Sequence, residues 1–218
     1  MIEMHSSLKP RDADRPAGKL RPAKSERDVI RRDQIVSAAQ RCVVQNGFHA
    51  SSMAQIAAGA RMSVGQIYRY FPGKDAIVHA IVERIVEKRL QWIDSHGDSA
   101  DLVAAAATHM LLGDEEERED RVLLLEAMAE ASRNPTVAAI LRAAHTRLLA
   151  RGVAMLRQFH PGIDDELAQM RIKMMAAIAE GTAFRRLIEP QGETAALKQL
   201  YREVIGRVLD PRGGGSTG

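Results

Sequence analysis

The sequence predicts an all-α fold of about nine helices, and three observations predict it. Aromatic residues make up only 4% of the 218 residues, while Ala, Leu, Arg, Glu and Met abound, a mixture that favours helix over strand. Apolar residues recur at spacings of three and four in segment after segment, the period of a helix with one buried face. Ser, Asp and Asn-Pro stand where such segments begin and Gly or Pro where they end, as helix caps require.

Composition sets the frame. An apolar content of 45% is enough for one or two packed domains. We divide the chain into a basic tail (1–30), a head (31–74), a helical body (75–210) and a Gly-rich flexible end (211–218). Pro10, Pro16, Gly18 and Pro22 punctuate the tail, which is expected to be disordered on its own. The single Cys42 excludes an internal disulfide and fits a reducing cytosol, so a cytoplasmic location is expected. No run of about 18 uncharged apolar residues and no secretory apolar core is present, so no membrane span is expected. A net charge of +3 with a pI near 9.2 permits nucleic-acid binding without predicting it.

The first helix of the head carries Ile35, Ala38, Ala39, Cys42 and Val43 on one face, with Asp33 near its start and Gly47 just past its end. A second helix follows the capping hydroxyl of Ser52 and turns Met53, Ile56, Ala57 and Ala60 inward. After a break from Ala60 to Ser63, a third helix opens on Ser63. It carries Val64, Gln66, Tyr68, Arg69 and Tyr70 around Ile67 and Phe71, and Pro72-Gly73 stops it. Two short helices joined by a tight turn match the helix-turn-helix plan, in which the second helix enters the major groove of DNA. Ala57 is small where the two helices approach, and Met62 and Ile67 are apolar where the motif needs a small core.

The residues that fix this plan are Gly47-Phe48, Ser51-Ser52, Ile56-Ala57, the run Ser63-Val64-Gly65-Gln66-Ile67-Tyr68-Arg69-Tyr70-Phe71, and Lys74. In order and spacing they resemble the DNA-binding domain of the TetR family of bacterial transcriptional repressors, over about 45 residues. Two positions depart from the family pattern. Arg61 stands in the turn where the family usually has Gly, which implies a positive φ at a cost of ~1 kcal/mol. Val43 stands where the family often has Phe, so that corner of the core is expected to pack differently.

With a DNA-binding head in view, the tail has two readings. Lys9, Arg11, Arg15, Lys19, Arg21, Lys24 and Arg27 outnumber its acids. It is either a solvated leader or an arm along DNA that adds salt-dependent, sequence-blind affinity. Arg31 and Arg32 lead into the first helix and are better placed to meet a phosphate.

The body follows in order. Lys74 to about Asp94 is one long helix with Ile77, Val78, Ile81, Val82, Ile85, Val86 and Ile93 as its stripe. The resemblance implies that this helix links head to body, with Trp92 at the junction. His79 and Glu83 are four apart, a spacing that suits either a metal or an ordinary surface contact. Asp98 to Leu112 is an Ala-rich helix, and the acidic run Asp114–Asp120 is a solvated connection or a helix start. Helix resumes to Ser132, Asn134-Pro135 breaks it, and the next runs to about Phe159, before the His160-Pro161-Gly162 turn. Asp164 to about Ile188 and Glu193 to Leu209 close the chain.

Each site residue carries a stated role. Gln66 can pair with a base through its amide, Val64 can touch a thymine methyl, and Gly65 lets the backbone approach DNA. The resemblance implies phosphate contacts for Ser52, Tyr68, Tyr70 and Lys74, and base or phosphate contact for Arg69; Arg32 and Ser63 complete the DNA-binding set. Tyr68 and Tyr70 cannot both face the core, because they are two apart on a helix. The resemblance also implies a homodimer through the last two helices, on Leu167, Met174, Ile178 and Gly181 of one and Leu197, Leu200, Tyr201, Val204, Ile205 and Val208 of the other. Their spacing suits a dimer seam or a monomer core. A two-fold pair of heads predicts a palindromic operator in double-stranded DNA. A small-molecule effector, largely apolar, is implied inside the body. Its candidate walls are His109, Met110, Met128, His145, Met170, Met174 and Phe184, with Met155 and Met175 as further pliable residues and Glu126 and Glu180 as polar ones. These side chains are core in many helical proteins.

Other classes fit less well. The sequence has no His-Glu-x-x-His, no paired Glu-x-x-His, no Cys cluster, no phosphate loop and no nucleophile elbow, so no enzyme, cofactor or metal is expected. A helical interaction module without DNA binding would leave the Tyr-Arg-Tyr run without a role. An activator or a corepressor-dependent regulator of the same fold stays open, because sequence does not give the sign of regulation.

Overall fold

The computed structural model describes residues 24–96, 105–106, 115–189 and 194–210. Eight helices are described: α1 (Lys24–Ala50), α2 (Met53–Ala60), α3 (Val64–Tyr68), α4 (Lys74–His96), α5 (Glu115–Ala131), α6 (Pro135–Phe159), α7 (Asp165–Ile188) and α8 (Ala195–Leu209). No strand occurs among the described residues. The Ala-rich helix expected over Asp98–Leu112 lies outside them except for residues 105–106, which are helical. The tail up to residue 23 and the end from residue 211 also lie outside them.

The first helix begins at Lys24, inside the stretch expected as disordered tail. A tertiary contact accounts for the difference. Tyr70 Oη donates to Asp28 Oδ1 at 3.2 Å and anchors the added turns to the head. Gly47, at φ 78 and ψ 162, breaks the helix where the sequence places its stop. The amide that the break frees on Phe48 donates to Glu126 Oε2 of α5 at 2.7 Å, and Ser51 Oγ returns a bond to Gly47 O at 2.8 Å.

Two apolar clusters hold the chain together. The first joins head to body: Ile35, Ile56, Ile67 and Phe71 pack with Ile77, Ile81 and Ile85 of α4 and with Leu123 and Val137 beyond it. The predicted α4 stripe is therefore buried, except that Ile93 is only half-buried against the second cluster. That second cluster unites Val153, Met155 and Leu156 of α6 with Ala168 of α7 and Ile205 and Leu209 of α8. Ile205 is 0% exposed, which corrects its assignment to a dimer face: it points into its own chain.

Helix ends follow local chemistry. Asn134 caps α6 with Pro135 in its first turn, Asp164 caps α7, and Thr194 caps α8. The acidic run proves to be the start of α5, but Asp120 is buried and paired with Lys88 at 3.1 Å, not solvated. His79 and Glu83 form a 3.6 Å pair on the surface of α4. Among the described residues no group of three or more metal-ligating side chains converges, and no helix is long and apolar enough to cross a membrane.

Candidate functional site

The head presents α3 on two matched caps. Ser52 Oγ accepts from Gln55 N, and Gln55 Oε1 accepts from Ser52 N. The same reciprocal pair recurs one helix later, where Ser63 Oγ accepts from Gln66 N and Gln66 Oε1 accepts from Ser63 N at 2.8 Å. The repeated Ser-x-x-Gln is the sequence signal for both. Between them Arg61 sits at φ 55, ψ 44, as its place in the turn predicts, and its N–H caps α2.

This turn sets the orientation of α3. Ile67 and Phe71 are buried, so Val64, Gly65, Gln66, Tyr68 and Arg69 stand exposed on the opposite side. A Cβ built on Gly65 would meet no atom within 4 Å, so only an outside surface can use the approach that the glycine allows. Tyr68 is 51% exposed, and Tyr70 is half-buried with its hydroxyl on Asp28. The helix is shorter than expected, ending at Tyr68 rather than Phe71.

Two cations bracket this face and also hold the head together. Arg32 Nη1 donates to Tyr70 O at 2.7 Å, and its guanidinium lies 4.4 Å from the centre of the Phe71 ring. Lys74 Nζ donates to His49 O at 3.2 Å and stands 4.4 Å over Phe48. Burial pushes the Lys74 pKa below the usual lysine value, against the pull of Glu130. Sequence reasoning assigned both residues to phosphate and missed these internal bonds, which join residues far apart in the chain.

The body holds an open cavity of about 600 Å³ lined by residues of both apolar clusters. Ile85, Trp92 and Ile93 of α4 form one wall and Leu148, Leu149 and Met155 of α6 another. Gly152 allows the close approach of α6 to α7 beside it, since a Cβ there would lie 2.8 Å from Ile172 Cγ2. Charged groups gather at one part of the lining: Lys88, Arg89, Glu117, Asp120, Arg121 and Glu180.

Of the predicted walls, His145 lines this cavity, as do Met155, Met175 and Glu180. Four residues do not. Met128 is exposed on α5, and Met170, Met174 and Phe184 are exposed on α7, Met174 by 54%. A methionine at helical spacing signals burial against something, and for these the something is not this cavity. His109 and Met110 lie outside the described residues. Glu126 serves the Phe48 amide instead. The charged group at Lys88 and Arg89 was missed, because a surface helix shows the same charges.

The α7 and α8 surface carries Met170, Met174, Phe184, Leu197, Leu200 and Val204 exposed. Leu167, Ile178, Tyr201 and Val208 are half-buried and Gly181 is exposed beside them. Tyr201 Oη lies 2.9 Å from Thr182 Oγ1, which ties α8 to α7.

The model of the "Bacterial regulatory proteins, tetR family" matches residues 35–81, and that of the "Tetracyclin repressor-like, C-terminal domain" matches residues 96–211. The HTH-type transcriptional regulator UidR of Escherichia coli (strain K12) is 28% identical over 181 residues, 82% of this chain and 92% of its own. The structure of Salmonella enterica GusR superposes with a TM-score of 0.70 at 26% identity, covering 83% of this chain and 96% of that one. The multidrug binding protein EbrR, complexed with malachite green, shares the fold with a TM-score of 0.61 at 22% identity, over 82% of this chain and 97% of its own. The body match alone spans more than half of the sequence, and the chain belongs to the TetR family of DNA-binding transcriptional regulators, which are not enzymes.

Proposed function

We propose that the protein is a cytoplasmic, dimeric repressor that binds a palindromic operator and is released from it by a small molecule held in the body. The observation that carries this reading is the course of α4. Its first turns pack on the head core through Ile77, Val78 and Ile81, and its last turns line the cavity through Ile85, Lys88, Arg89 and Trp92. A ligand that shifts the second half of one rigid rod also shifts the first. Ligand and DNA then select different spacings of the two heads, a population shift in which ~1–3 kcal/mol of coupling changes operator affinity by roughly five- to 150-fold.

On this reading Val64 and Gln66 meet base edges, Gly65 lets the backbone approach, Arg69 meets a base or a phosphate, and Ser52, Ser63, Tyr68 and Arg32 meet phosphates. Arg32, Tyr70 and Lys74 reach DNA only by sharing groups that already hold the head together. Gln66 reads a base with its amide N–H groups while its oxygen keeps the cap. The exposed apolar face of α7 and α8 supports a homodimer, and the malachite green held by EbrR supports a ligand site in this fold. The effector is largely apolar along Trp92, Leu148 and Met155 and polar at one end.

The test is selection from a random duplex pool at about 150 mM salt. Recovery of one palindromic motif supports the reading. Replacing Gln66 and Tyr68 together by Ala should abolish specific binding and leave the dimer intact; normal operator binding by that double variant would sink the assignment of α3.

A further inference from the structure

Charge at the polar part of the cavity is not evenly partnered. Lys88 Nζ sits 3.1 Å from Asp120 Oδ2. Arg121 Nη1 lies 3.7 Å from Glu117 Oε2, a loose pair, and Arg121 Nε is buried with no hydrogen-bond acceptor. Arg89 lines the cavity, and among the described residues its side chain makes no hydrogen bond or ion pair. Arg89 is exposed by its own accessible surface, although many atoms of the cavity wall crowd around it.

Burial acts first on both guanidiniums and pushes their pKa values below the usual arginine range. Asp120, Glu180 and Glu117 oppose this at Arg89 through space. At Arg121 the next largest influence is the like charge of Arg186, and Arg118 and Arg89 add to it. An arginine does not give up its proton near neutral pH, so its N–H groups need acceptors, from water or from a ligand that displaces it. A carboxylate meets this need best, since its two oxygens match the fork of a guanidinium. The acids lining the same region argue less strongly for a cationic ligand. Asp120 is taken by Lys88, Glu117 faces Arg121, and Glu180, exposed on α7, acts on Arg89 through space.

We propose that the cavity takes a ligand with a carboxylate group, seated on Arg89 and Arg121, and an apolar body lying along Trp92, Leu148 and Met155. This rests on reading the cavity as the effector site. Arg89 then does two things at once: it selects the ligand, and it passes the ligand's position to α4, the helix that reaches the head.

Trp92 is the only tryptophan of the chain and lines the cavity, so its emission reports occupancy without a label. The full-length protein is titrated with decanoate, decan-1-ol and decylammonium, three probes of one chain length that differ in head group. Decanoate should bind about tenfold or more tightly than decan-1-ol. Arg89→Met should bring the ratio of decanoate to decan-1-ol affinity down to about one. Glu180→Gln, which removes a negative charge near Arg89, should tighten decanoate; a merely structural role for these residues would not produce that sign. Binding of all three without a carboxylate preference, or tightest binding of decylammonium, overturns the carboxylate seat and leaves the cavity as a ligand site. If none of the three changes Trp92 emission, the cavity reading falls, and the carboxylate seat with it.

Discussion

Arg61 is the residue at which the head departs most plainly from its family pattern. It takes φ 55 and ψ 44, the left-handed region, in order to give its N–H to the end of α2. A side chain there costs ~1 kcal/mol relative to glycine. Arg61→Gly should therefore raise stability by up to about 1 kcal/mol, part of the gain being lost to the entropy of the unfolded glycine. Chemical denaturation followed by circular dichroism measures it, and a lower midpoint would show that the Arg61 side chain earns its place by a contact. This conformation was legible in the sequence, because the turn is short and its two caps are local. The same holds for Ser52 and Ser63, while Asn134 and Asp164, read only as a break and a boundary, also cap the helices that follow them. Gly47 was legible as a stop, but not its consequence. The Phe48 amide finds its acceptor in Glu126, and nothing near either residue in the chain announces the other.

At the scale of elements, α5 is a second connection between cavity and head, parallel to α4. Its first turns carry Glu117, Asp120 and Arg121 on the cavity, and one helical stretch later Glu126 holds the amide at the Gly47 break. The Phe48 amide is left over where α1 ends, so a carboxylate from the body seals a joint of the head. Glu126→Ala leaves that amide without its acceptor and should cost about 1–3 kcal/mol of stability. It should also weaken the effect of a bound ligand on operator affinity, while ligand affinity itself changes little. Titrating operator DNA with and without ligand gives the ratio; an unchanged ratio would confine signalling to α4. Such links explain what periodicity left out. Spacing gave α1, α2 and α4 their buried sides, but on α7 it picked out Met170, Met174 and Phe184, which the chain itself leaves exposed, because a partner chain and a pocket leave the same pattern in one sequence. Nor did composition foresee the start of α1 at Lys24, which a hydrogen bond from Tyr70 to Asp28 anchors.

For the whole molecule, the question is which apolar residues of α7 and α8 serve the single chain and which serve its assembly. Leu200 and Ile205 lie on the same helix and separate the two cases. Leu200 is 53% exposed, whereas Ile205 is 0% exposed in the cluster with Leu156 and Ala168. Leu200→Glu places a charge on the outer face without opening the core. The chain should stay folded and become a monomer, because burying a carboxylate in a seam between two copies costs far more than leaving it in water. Ile205→Ala should do the reverse: a cavity in the core costs about 2–5 kcal/mol of stability, and the chains that remain folded should still pair. Sedimentation velocity beside thermal unfolding reads both outcomes. The monomeric variant carries the geometry one step further. A single head contacts only one half-site, so it should lose the proposed palindromic operator while keeping weak, strongly salt-dependent binding to any duplex. Retention of tight operator binding by a monomer would mean that one head suffices, and the two-headed spacing through which a ligand is proposed to act would lose its basis.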